Sequence, residues 1–142
     1  MFGVFRRNKN ERNYRVLEAS LTQLLGAQKL LIPDFALEVN GAVNKTAIGY
    51  IYGFIDCAAQ LAELEINCAD GQKMIDNILH YMNDRRSDHI MNLIAELWDD
   101  DEFVKGMNIG GTEYNEWVKG NGVSVAAGLG RAFYAQAEKT SR

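Results

Sequence analysis

The chain has 142 residues, 47% apolar and 24% charged, with one Pro, 13 Gly and two Cys. That apolar share excludes a disordered tail or a low-complexity repeat, the length suits one ordinary domain, and two cysteines exclude a disulfide scaffold. The net charge of −4 gives no global attraction for nucleic acid, and no specific nucleic-acid signal appears.

Charge is segregated along the chain. Residues 1–31 hold six basic and two acidic side chains, whereas residues 84–104 hold two and seven. The first segment opens with Phe2, Val4 and Phe5 beside Arg6, Arg7, Lys9, Arg12 and Arg15. Residues 1–10 read as a basic arm, and basic residues interleaved with aromatics over 1–15 suit contact with a partner or an anionic membrane surface. Aromatics ahead of the charges are the reverse of a secretory leader, and the apolar run Thr46 to Ile55 is too short to span a bilayer. A cytoplasmic protein with no transmembrane segment is expected.

The periodicity is helical nearly throughout. Tyr14, Leu17, Leu21, Leu24, Gln28 and Leu31 recur at three-four spacing and share one helix face. Pro33 ends that helix by removing a donor and disfavouring helical geometry at Ile32. Asn40-Gly41 is a breaker pair, with Asn40 a candidate N-cap. A long apolar helix over about 42–67 follows and is expected at the centre of the fold. A helix capped by Asp70 would bury Met74, Ile75, Ile78, Leu79 and Met82; one capped by Ser87 would bury Ile90, Met91, Ile94, Leu97 and Trp98. The acid block Asp99 to Glu102 either breaks that helix or opens another through Phe103, where acids suit the positive end of the helix dipole. Ile109-Gly110-Gly111 reads as a loop, Thr112 as the cap of a short helix ending at Gly120, and Ser124 as the start of the last helix. The fold class is all-α, a single-domain bundle of about five to seven helices.

No motif of nucleophilic, phosphate-binding or zinc chemistry is present. Besides the basic amino-terminal segment, three features remain as candidate sites. Gly49, Gly53 and Cys57 form a small-residue stripe, echoed by Gly128, Ala132 and Ala135. A helix-interior glycine is about 1 kcal/mol worse than alanine, so the stripe implies close backbone approach, either within the chain or at a self-association seam. Tyr52, Asp56 and Gln60 stack at four-residue spacing on the apolar helix. Asp56 there is a wet-face residue, a buried ion-pair partner of Arg131 or Lys45, or part of a ligand pocket with Tyr52, Gln60 and Arg131. His80 and Asp84 are one turn apart, a metal-ligand spacing, with no fuller ligand motif around them. Cys57 and Cys68 read as reduced thiols.

With no chemistry-bearing constellation, the expected function is association with a second copy, as a homodimer, or with another macromolecule. No cofactor is expected, and an enzyme is the less favoured reading. The alternative is a small-molecule protein or enzyme built on Tyr52, Asp56 and Gln60.

Overall fold

A computed structural model of the chain describes the backbone of residues 2–83, 88–120 and 128–140, and side chains from 10 to 83, 89 to 120 and 128 to 135. The described elements are α1 (Phe2–Leu30), β1 (Glu38–Val39), β2 (Ala42–Val43), α2 (Lys45–Leu61), α3 (Ala69–Asn83), α4 (Asp88–Leu97), α5 (Asp101–Lys119) and α6 (Gly128–Thr140). The architecture is all-α, with six helices and one short hairpin among the described residues.

α1 starts at Phe2, so the basic run is the opening of this helix and not a segment apart from it. At 1.5 Å per residue it is about 43 Å long. Its buried face among the described side chains begins at Tyr14 and continues through Leu17, Leu21, Leu25 and Gln28. Leu31, expected on that face, lies past the helix end and is 71% exposed.

The apolar helix is shorter than the hydrophobicity suggests. Ala42 and Val43 pair antiparallel with Val39 and Glu38 across Asn40-Gly41. Both turn residues have positive φ, 54° and 82°. A two-residue turn of that kind matches the twist of paired strands and favours Asn-Gly, so the pair closes a hairpin where a helix start was expected. The N-cap is instead Asn44, whose side chain accepts from the Ala47 amide at 3.0 Å and donates to the Phe133 carbonyl at 3.0 Å. α2 ends at Leu61, short of Asn67, and Glu63 beyond it sits at φ 58°.

α2 is the centre of the bundle, as its apolarity predicts. Ile48, Tyr50, Ile51, Phe54 and Ile55 are fully buried on several of its sides. α5 runs parallel to it, straight through Ile109-Gly110-Gly111, the segment expected as a loop. Tertiary contact overrides glycine's poor helix propensity here. Backbone built with a Cβ at Gly49 would overlap the Phe103 carbonyl, and at Gly53 the Met107 carbonyl. Reciprocally, Gly106 admits the Thr46 carbonyl and Gly110 the Tyr50 carbonyl. The two helices touch backbone to backbone, where dispersion and Cα–H···O contacts offset the glycine penalty.

The acid block caps α5. Asp100 accepts from the Glu102 and Phe103 amides at 3.0 and 3.3 Å, and Asp101 and Glu102 fill the first turn. Lys45 of α2 donates to Asp100 at 2.9 Å. That bond, partly opposed by burial and aided by the two amides, holds the Asp100 carboxyl below the usual carboxylate range. A depressed folded value contributes stability above the unfolded value of about 4, lost as pH falls through the folded one. Lys45→Met is therefore expected to lower stability modestly at neutral pH and leave it unchanged at pH values where the Asp100 carboxyl is protonated in both states, so the acid limb of a stability–pH curve flattens; chemical denaturation across that range measures it.

Candidate functional site

Gly49 and Gly53 face α5 of their own chain, not a second copy. Of the two readings of the stripe, this is close approach within the chain, and the helix that approaches Gly49 and Gly53 is α5 rather than the last helix with its own small residues. The parallel arrangement of α5 could not be read from Gly106 and Gly110 once those were placed near or in a loop. Cys57, next on the stripe, is partly buried beside Gly111; burial and then the neighbouring Asp56 push its thiol pKa up. Ala132 is 1% exposed and sits in the core.

Tyr52, Asp56 and Gln60 share a face as predicted, but their environments diverge. Tyr52 is buried, with its ring edge-on to Trp98 at 5.5 Å and tilted against Phe103 at 6.0 Å. Desolvation, and then Asp56, raise the pKa of its hydroxyl. Asp56 is half-buried and accepts from exposed Gln60 at 2.9 Å. Arg131 is elsewhere: it bonds Glu113 at 3.2 Å. Lys45 pairs with Asp100. Neither basic residue considered for Asp56 reaches it.

His80 is exposed on α3, and Asp84 lies outside the described residues. No group of three His, Cys, Asp or Glu that could hold a metal ion exists among the described residues. Ser87 and Ser124, expected caps, also lie outside them, as does the second breaker pair Asn121-Gly122.

The densest polar arrangement is a junction of four helices. Gln28 of α1 donates through Nε2 to the Tyr50 hydroxyl at 3.0 Å, and its Oε1 accepts from the Leu129 amide at 3.1 Å. Tyr50 of α2 donates to Glu113 Oε1 at 2.9 Å. Glu113 of α5 also accepts from the Gly128 amide at 2.7 Å and from Arg131 at 3.2 Å. Two otherwise orphaned amides at the start of α6 are thus capped by side chains of α1 and α5. Tyr50 is fully buried. Burial first, and the carboxylate of Glu113, hold its hydroxyl neutral, well above the usual tyrosine range. Beside Glu113 and Arg131 a cleft of about 410 Å³ is lined by Asn108, Ile109, Thr112 and Glu116.

A second polar contact anchors the middle of α1. Tyr14 donates to the Glu65 carbonyl at 2.6 Å and lies 3.1 Å from Cys68 Sγ. Cys68 in turn accepts from the Gly71 amide at 3.4 Å, so it and not Asp70 caps α3. Burial, then the bond to Cys68, push the Tyr14 hydroxyl up to about 12.

No family model, curated protein or solved structure matches the chain. The reading of function therefore rests on this chain's own geometry.

Sequence reasoning placed Gln28 on an apolar face but drew nothing from it. A lone amide on such a stripe signals a buried partner, since an unbonded one is costly. Glu113 and Tyr50 carried no comparable signal. Trp98, expected inward, is 51% exposed. It follows the end of α4, and its ring leans on Tyr52 from outside.

Proposed function

We propose that the chain works by association, first of all with a second copy of itself, and performs no chemistry of its own. The observation that carries this is the set of large apolar side chains on the outside: Leu30 at 87%, Leu31 at 71% and Trp98 at 51% exposure. Exposed apolar groups of this size mark interaction surfaces when they cluster; Leu30 and Leu31 directly follow Lys29, whose ammonium lies over the ring of half-exposed Tyr81. The polar junction around Glu113 supports the same reading, because every one of its groups is committed to joining helices. Two free thiols suit a reducing compartment, the cytoplasm. No helix among the described residues is long and apolar enough to cross a membrane.

Sedimentation equilibrium over a hundredfold concentration range tests the proposal. A monomer–dimer equilibrium is expected, and a single monomeric species at the highest concentration contradicts it.

The second reading, a small-molecule site, moves away from Tyr52, Asp56 and Gln60. The cleft beside Arg131 favours it, being of ligand size. A ligand found there would bind to wild type and lose affinity in Arg131→Ala without any change in oligomeric state.

A further inference from the structure

The corner between α4 and α5 presents an aromatic ring beside exposed acids. Trp98 is half-exposed, and Glu96, Asp99 and Asp101 around it are all exposed. No ion pair to any of these acids is found among the described residues. Asp56, one turn on from Tyr52, adds a half-buried carboxylate on the same side of α2. Such a surface suits a cationic segment that also brings apolar side chains, through charge attraction and a cation–π contact.

The chain carries a segment of that chemistry. Residues 1–15 hold five basic side chains against one acid, with Phe2, Val4 and Phe5 among them. They form the first half of α1, ahead of or beside Tyr14, and Arg12 and Arg15 are exposed.

Within one chain the described contacts set α1 and this corner apart. Tyr50 and Tyr52 are two residues apart on α2, about 200° around its axis. Tyr50 bonds Gln28 of α1, and Tyr52 meets Trp98. α1 and the acidic corner therefore flank α2 from opposite sides. The basic half of α1 also lies towards the far end of α2, where Tyr14 bonds Glu65.

We propose that the acidic corner around Trp98 receives the basic first half of α1 from a second copy of the chain. A two-fold axis makes the contact reciprocal, so two such contacts close a dimer. This rests on the self-association reading and names its surface.

The test is a charge exchange in the full-length chain, read by sedimentation. One variant carries Glu96→Lys and Asp99→Lys, the other Lys9→Glu and Arg12→Glu. Glu96, Asp99 and Arg12 are exposed, and circular dichroism verifies that each variant is folded. Each variant alone is expected to weaken dimerisation at least tenfold, and an equimolar mixture to restore it, since both contacts then pair opposite charges. Wild-type dimerisation is expected to weaken as salt rises. A milder second measurement uses a peptide of residues 1–15 added to a Trp117→Phe chain: the Trp98 emission is expected to change, and Asp99→Asn to weaken the binding. If both charge variants dimerise as wild type while Leu30→Glu or Leu31→Glu yields monomers, the docking proposal is overturned and self-association stands. If wild type is monomeric throughout, both fall.

Discussion

Gly53→Ala is expected to destabilise the bundle by about 3 kcal/mol, at the upper end for overpacking, while Gly111→Ala leaves it unchanged or slightly more stable. The two glycines face each other across the same pair of helices, which makes the comparison sharp. A Cβ at Gly53 would overlap the backbone of Met107, carbonyl included. Backbone has no rotamer by which to yield, so α2 and α5 must separate along their shared length. At Gly111 the nearest atom, the Gly53 carbonyl oxygen, is 3.5 Å away, an ordinary contact. There the gain in helix propensity, up to about 1 kcal/mol, is free to appear. Gly49, Gly106 and Gly110 should behave as Gly53 does, each meeting a carbonyl oxygen of the facing helix. Thermal unfolding reads the difference as a fall of about 10 °C against no fall, at roughly 3 °C per kcal/mol for a chain of this size. Equal tolerance at both positions would mean that the helices are not in backbone contact.

Glu113→Ala should be comparably damaging for a different reason. It removes the acceptor of the Tyr50 hydroxyl and the Gly128 amide together. Leaving a buried donor without a partner costs about 1–3 kcal/mol, and a lost helix cap about 1. A loss of about 3 kcal/mol is expected. Tyr50→Phe removes the hydroxyl, so buried Gln28 Nε2 loses its acceptor, while the carboxylate keeps its bonds to Gly128 and Arg131; its cost should be about 1–3 kcal/mol. Because the groups form one connected network, the double variant should cost less than the sum of the two singles. Strict additivity in urea denaturation would show that Tyr50 and Glu113 do not act together.

How far the sequence revealed this fold follows from which signals are local. The all-α class and the buried faces of α1, α3 and α4 were legible because three-four spacing of Leu, Ile and Met is a property of short windows. Pro33 was legible for the same reason, whereas the acid block was legible only as either the end of one helix or the start of the next. Asn40-Gly41 was legible as a breaker, but its meaning depended on whether Glu38 and Val39 find partners in Ala42 and Val43. The run Ile109-Gly110-Gly111 misled because helix propensity is a weak prior. What makes it helical is a carbonyl contributed by Tyr50, sixty residues earlier. The stripe at Gly49 and Gly53 correctly signalled close approach, yet a stripe has no label for its partner.

The candidate sites were less legible. Asp56 and Gln60 bond each other on a wet edge, while their supposed partner Arg131 is held by Glu113. Glu113 looked like any helix-surface acid, and only the fold brings Tyr50 and the first amides of α6 to its carboxylate. Trp98 fitted the apolar spacing of α4, but the helix ends at Leu97 and leaves the ring outside. In each case a long-range contact, invisible to spacing, decided the role.

The central claim is that the glycine face of α2 is used within the chain and that copies meet through the outer surface. Isotope-filtered nuclear Overhauser spectra on an equal mixture of labelled and unlabelled chains test it most directly. The α protons of Gly49 and Gly53 should show contacts to Phe103 and Met107 only within one chain, while contacts between chains should involve the Trp98 indole. Contacts between chains at Gly49 or Gly53 would contradict the account.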